Sequence, residues 1–157
     1  MARAFVFPGQ GAQAVGMGQA LADAYPEARA VFDEVDEALS FSLSKLIKNG
    51  PIEELTLTAH AQPALMATSM AAVRALEASG VKVADGAYVA GHSLGEYSAL
   101  CAAGAISLAD TARLLKRRGQ AMQAAVAVGE GAMAALRGRD FATASEIAAA
   151  AAQDEVC

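Results

Sequence analysis

At 157 residues the chain holds enough for about one domain with a real core. Its formal net charge of −5 argues against nucleic acid as a main partner, because phosphate binding wants clustered Lys and Arg, and the one dense basic run, Lys116-Arg117-Arg118, sits inside a helical pattern. Two cysteines give no disulfide framework, no segment approaches the roughly 18 apolar residues of a membrane span, and "AFVF" is too short for a signal peptide, so a reduced cytoplasmic protein with no membrane segment is expected.

The elements follow in chain order. "RAFVFPGQG" reads as a short buried strand ending in a Pro-Gly turn. "VGMGQALADAY" and "PEARAVFDEVDEAL" read as two helices, with Pro26 at a helix start. "SLSKLIKNGP" predicts a short helix stopped by Asn49-Gly50-Pro51. From Gln62 to Ser79, Leu65, Met66, Met70, Val73 and Leu76 recur at helical spacing, and Gly80 ends the run. "AYVAG" reads as a second short buried strand, and residues 94 to 104 as a tight apolar helix. Ser107 is a good N-cap for a long helix, and Asp110 nearly completes a capping box. Leu108, Ala112, Leu115, Gly119, Met122 and Val126 form one face of that helix. Then "GEG" reads as a linker, "AMAALRG" as a strand, and "DFATASEIAAAAAQ" as a helix with Asp140 near its cap. "EVC" could start another strand.

Three features carry chemistry. "GHSLGE" holds G-x-S-x-G between a strand and a helix, the pattern of a nucleophile elbow. Gly91 and Gly95 are there because the turn is too sharp for side chains, and Ser93 falls at a helix N-terminus that favours developing negative charge. "FPGQG" fits neither a dinucleotide loop nor a P-loop, because the glycine spacing fails and no Gly-Lys-Ser/Thr follows. What remains is a turn with open backbone N–H groups at a strand's C-terminal end. Acyl transfer needs two such donors for its oxyanion, and the candidates are Leu94, after the nucleophile, and Gln10. Arg118 lies on the flank of the buried helix face, where it wants a carboxylate, either in a ligand or in an internal salt bridge. Arg117 points to solvent and Lys116 to the side. An activated serine also needs a base. His92 is adjacent to Ser93 and departs in another direction, which suits a structural or supporting role rather than that of general base, and His60 reads as a surface or helix-entry residue.

Together these features resemble the malonyl-CoA:acyl carrier protein transacylases of fatty acid synthesis and the acyltransferase domains of polyketide synthases. The resemblance is carried by "FVFPGQGAQ", "AQPAL", "GHSLGEYSAL" and "RLLKRRGQAMQ" and spans essentially the whole chain. It implies an α/β fold: an incomplete α/β-hydrolase-like large subdomain over residues 1–127, then the first strand and helix of a ferredoxin-like subdomain over 128–157. It implies that Ser93 is the acylated nucleophile, that Gln10 and Leu94 supply the oxyanion-hole amides, and that Arg118 clamps the malonyl carboxylate. Gln62 matches a position near the pocket. The implied partners are malonyl-CoA and acyl carrier protein, with no metal or redox cofactor. In the family the base is a histidine from a later segment, held by a backbone carbonyl, and intact members are much longer. The chain is thus expected to be the N-terminal half of a transacylase, inactive alone, and unstable or aggregated in isolation, with apolar surface bare along the sheet. The rivals are an ordinary serine hydrolase or thioesterase, which shares the elbow but needs neither "FPGQG" nor a pocket arginine, and an inert fragment.

Overall fold

A computed structural model of the chain describes residues 2–125, 136 and 138–152. The chain divides into two units, Met1–Val126 and Ala127–Cys157. The first unit is α/β, mostly helical with a small parallel sheet of β1 (Ala4–Phe7) and β2 (Tyr88–Gly91). Between the strands run α1 (Gln19–Ala24), α2 (Pro26–Leu39), α3 (Leu43–Asn49), α4 (Ile52–Thr56), α5 (Thr58–Ala78) and a single 3-10 turn at Val83–Asp85. After β2 come α6 (Leu94–Ala102) and α7 (Leu108–Ala125). Among the described residues no helix is long and apolar enough to cross a membrane.

The sheet register decides what the strands bury. Ala4 pairs with Tyr88, Phe5 with Val89, Val6 with Ala90, and Phe7 with Gly91. Side chains alternate along a strand, so Phe5, Phe7 and Val89 turn toward the helices, and Phe7 is buried. The opposite face carries Ala4, Val6, Tyr88 and Ala90, all exposed, with Val6 at 74% and Tyr88 at 73%. The sequence predicts strands buried throughout. The structure buries one face, because α6 and the helical core cover that side and no described element covers the other. Apolar surface in water favours association by about 25 cal/mol per Å² once covered. The purified 157-residue chain is therefore expected to associate as its concentration rises. Sedimentation that finds a monomer with one cooperative melt would contradict this.

The helices follow the sequence with identifiable departures. α2 matches its predicted span, with Pro26 in its first turn. α1 begins at Gln19, not near Val15, because Gly16 and Gly18 adopt φ of 85° and 74°, which no helix residue takes. α5 starts at Thr58, a turn before the predicted Gln62, and carries Pro63 inside it. Pro63 is past the first turn, so the Ala59 carbonyl goes without the N–H that an uninterrupted helix would give it. α7 is capped as expected: the Asp110 N–H donates to Ser107 Oγ at 3.1 Å. The Asp110 carboxylate accepts the Ser107 hydroxyl at 2.7 Å rather than the backbone N–H of a full capping box. That hydroxyl, with Arg113 behind it, holds the Asp110 carboxyl below its ordinary range.

The α7 face packs against α5 and α2. Leu108, Ala112, Leu115 and Gly119 are buried, together with Thr111. Burying a side chain such as Leu115 contributes about 1.5–3 kcal/mol. Met122 departs from the predicted buried face and is 37% exposed, and Val126 lies outside the described residues. Cys101 is buried, and desolvation raises its thiol pKa, so it is held as an unreactive thiol.

The second unit contributes α8 (Phe141–Ala152), with no side chain buried. Asp140 caps it, accepting the Thr143 N–H at 2.8 Å. The strand predicted in "AMAALRG" lies outside the described residues except for Leu136 and Gly138, which stand in no regular element. "GEG", "EVC" and Cys157 also lie outside them.

Candidate active site

Parallel pairing brings the two motifs together. Phe7 sits opposite Gly91, so the turn carrying Gln10 and the turn carrying Ser93 leave the same end of the sheet side by side. The His92 N–H donates to the Phe7 carbonyl at 3.2 Å and ties one turn to the other. A Cβ on Gly95 would lie 2.4 Å from that same carbonyl oxygen, so α6 starts directly against the end of β1. A Cβ on Gly91 would lie 2.0 Å from the Gly95 backbone. Both glycines of G-x-S-x-G are therefore required by close backbone approach.

Ser93 takes φ 55° and ψ −114°, a conformation that costs a non-glycine residue about 1–3 kcal/mol. It holds the serine at the N-cap of α6, exposed, with its oxygen off the helix. Leu94 follows as the first residue of α6, where no carbonyl four residues back can accept its N–H. Gln10 lies exposed in the turn past β1, and its side chain donates to Thr58 Oγ1 at 3.5 Å.

Arg118 reaches the serine from α7. Its Nη2 donates to Ser93 Oγ at 3.0 Å and its Nη1 to Gln62 Oε1 at 2.7 Å. The guanidinium also stands 5.9 Å from the Tyr97 ring centre, a cation–π distance. The internal salt bridge that the sequence offers Arg118 as one alternative is absent among the described residues. Among the described residues no carboxylate pairs with it, and its partners are an amide and a hydroxyl. Gln62 is fully buried in α5, and its Nε2 donates to Met122 Sδ at 3.2 Å. Arg117 is exposed. Lys116 is half-buried, its ammonium 5.0 Å from the Phe41 ring centre and its pKa lowered by burial.

Neither histidine hydrogen-bonds Ser93. His92 is exposed, with its ring against Gly9. His60 is the helix-entry residue of the two readings: it stands in the first turn of α5, half-buried, stacks on Phe41 at 5.3 Å, and pairs through Nδ1 with the Glu54 carbonyl. Among the described residues no group of three His, Cys, Asp or Glu could hold a metal ion.

The model of the acyl transferase domain matches residues 4–157. The chain belongs to the acyl transferase domain family. Among its relatives, the malonyl CoA-acyl carrier protein transacylase of Bacillus subtilis (strain 168) is 53% identical over 137 residues, which are 87% of this chain and 42% of that protein. The crystal structure of an acyl-carrier-protein-S-malonyltransferase from Bartonella henselae is 59% identical with a TM-score of 0.92, over all of this chain and 50% of that one. A type II PKS acyl-carrier protein in complex with its malonyl-transacylase matches at 45% identity and a TM-score of 0.75, over 80% of this chain and 40% of that one. The chain spans about half the length of the curated relatives it matches.

Sequence reasoning did not assign Met122 to the site. The available signal was its position one turn past Arg118, which places both side chains on one side of α7.

Proposed function

We propose that this chain supplies the nucleophile half of an acyl transferase that moves malonyl from malonyl-CoA to the phosphopantetheine thiol of acyl carrier protein. The observation that carries the reading is Arg118, bonded to the candidate nucleophile at 3.0 Å and free of any carboxylate among the described residues. A guanidinium held there is suited to an acyl group that ends in a carboxylate. The relatives named above support the same substrate pair.

In the proposed cycle Ser93 Oγ attacks the thioester carbonyl and its proton leaves to a base. The N–H groups of Leu94 and Gln10 receive the oxyanion. The tetrahedral intermediate collapses, the C–S bond breaks, and CoA leaves as the thiol, with malonyl as an ester on Ser93. The carrier thiol then gives its proton to the base and attacks that ester, the bond from the acyl carbon to Oγ breaks, and Ser93 Oγ takes the proton back. Ester exchange changes no oxidation state, so no redox cofactor is invoked. The proposed base is a histidine from a segment outside this chain, so the chain alone is proposed to be inactive. In this reading residues 1–127 belong to an α/β-hydrolase-like large subdomain and 128–157 begin a ferredoxin-like one.

The test uses a fusion of this chain to the C-terminal half of the Bartonella henselae enzyme. Malonyl-CoA should place one malonyl group on Ser93, Ser93→Ala should remove the label, and transfer to carrier protein should exceed hydrolysis. A label mapped to another residue, or release to water alone, would overturn the assignment.

A further inference from the structure

Gln62 stands fully buried in α5 between two side chains of α7 that lie one turn apart, Arg118 and Met122. Gly119, between them in sequence, lets the helices close: a Cβ there would lie 2.5 Å from the Thr58 carbonyl oxygen. The amide at the centre of this contact has two unlike ends. A guanidinium carries only donors, so the oxygen end must face Arg118. It does so, accepting Nη1 at 2.7 Å. The NH₂ end must then point away, and at a buried position it needs an acceptor. The Met122 thioether supplies one, 3.2 Å from Nε2.

We propose that Met122 is a positioning residue: its sulfur fixes the direction of the Gln62 amide and, through it, the aim of Arg118 at Ser93. The proposal rests on reading Arg118 as a carboxylate clamp. Leucine at 122 fills a similar volume but accepts no hydrogen bond. The buried NH₂ end is then left without its acceptor, the amide shifts to find another, and its oxygen no longer holds Arg118 in line with Ser93. A malonyl group depends on that anchor; an acetyl group does not.

The experiment measures kcat and KM for malonyl and acetyl thioesters in the fused enzyme. Met122→Leu should lower malonyl kcat/KM about five- to tenfold, the net effect of one or two hydrogen bonds, and leave acetyl transfer unchanged. Met122→Gln, which restores an acceptor at similar reach, should recover most of the loss. In a Gln62→Ala background Met122→Leu should have no further effect, because the sulfur acts only through the amide. Equal losses for both thioesters, or additive losses in the double variant, would show that Met122 only packs, and the proposal falls. Arg118→Ala is run in parallel. If it collapses the malonyl-to-acetyl ratio while Met122→Leu does not, the positioning role falls and the clamp stands. If Arg118→Ala leaves the ratio alone, both fall.

Discussion

Arg118→Ala is expected to lower malonyl transfer by several orders of magnitude while sparing or raising acetyl transfer. Malonyl and acetyl thioesters differ by one carboxylate, and an apolar pocket separates small groups by only about 1–3 kcal/mol. A desolvated guanidinium does more, because the wrong substrate leaves its charge unpaired. The geometry suits that task. Gln62 holds one side of the fork from the buried wall, and the other side lies on Ser93 Oγ. Binding of a carboxylate takes further N–H donors of the five without releasing the Gln62 anchor. Lysine has the charge and lacks the planar fork, so Arg118→Lys should recover only part of the loss. Arg117→Ala, on an exposed neighbour, should change little at the site. Steady-state rates with both thioesters in the fused enzyme check the set. Equal losses for malonyl and acetyl would show that Arg118 supports the fold, and the clamp would have to be dropped.

Gly91→Ala is expected to abolish acylation and destabilise the protein together. The added Cβ would lie 2.0 Å from the Gly95 carbonyl carbon and oxygen and 2.4 Å from the Glu96 nitrogen. Those atoms are backbone in the first turn of α6 and cannot rotate aside like a side-chain tip. Overpacking costs about 1–3 kcal/mol where neighbours can shift, and here the effect should reach or exceed the upper end. The shift that relieves the clash also moves Ser93 and the Leu94 N–H. A melt midpoint and an acylation rate, both near those of the parent, would refute the requirement for close approach.

Much of the site was legible because its signals are local. The elbow is a spacing of glycines around one serine, and the flank position of Arg118 follows from counting along a single helix face. The Arg118–Gln62 bond was not legible, since it joins residues on α5 and α7 and depends on how closely those helices pack. Spacing alone puts Met122 on the buried face of α7. That spacing gives direction around the helix but not where the covering layer ends, and at 37% exposure Met122 lies past it. The strands fail similarly: "AFVF" and "AYVAG" are apolar at most positions, so alternation could not show that one face stays bare. α4 leaves no sequence signal, because five residues hold little more than one helical turn and no periodicity. The start of α5 is not legible because the periodic apolar residues begin at Leu65, while Thr58 to Ala61 hold no large apolar side chain to extend the pattern.

The β1–β2 pairing has a consequence for how the molecule is made. Ala4 meets Tyr88, so the sheet joins segments about eighty residues apart, and the His92–Phe7 bond and the Gly95 contact depend on that meeting. Closing so long a loop is entropically costly and kinetically slow compared with forming the helices between its ends. On the ribosome the helices from α1 to α5 can collapse first, whereas the serine turn cannot take its final shape until β2 has emerged and found β1. The turn at Ser93 therefore takes its shape only after β2 has paired, and a nascent chain that has emerged through Ser93 with β1 and β2 still apart holds that serine in no fixed geometry.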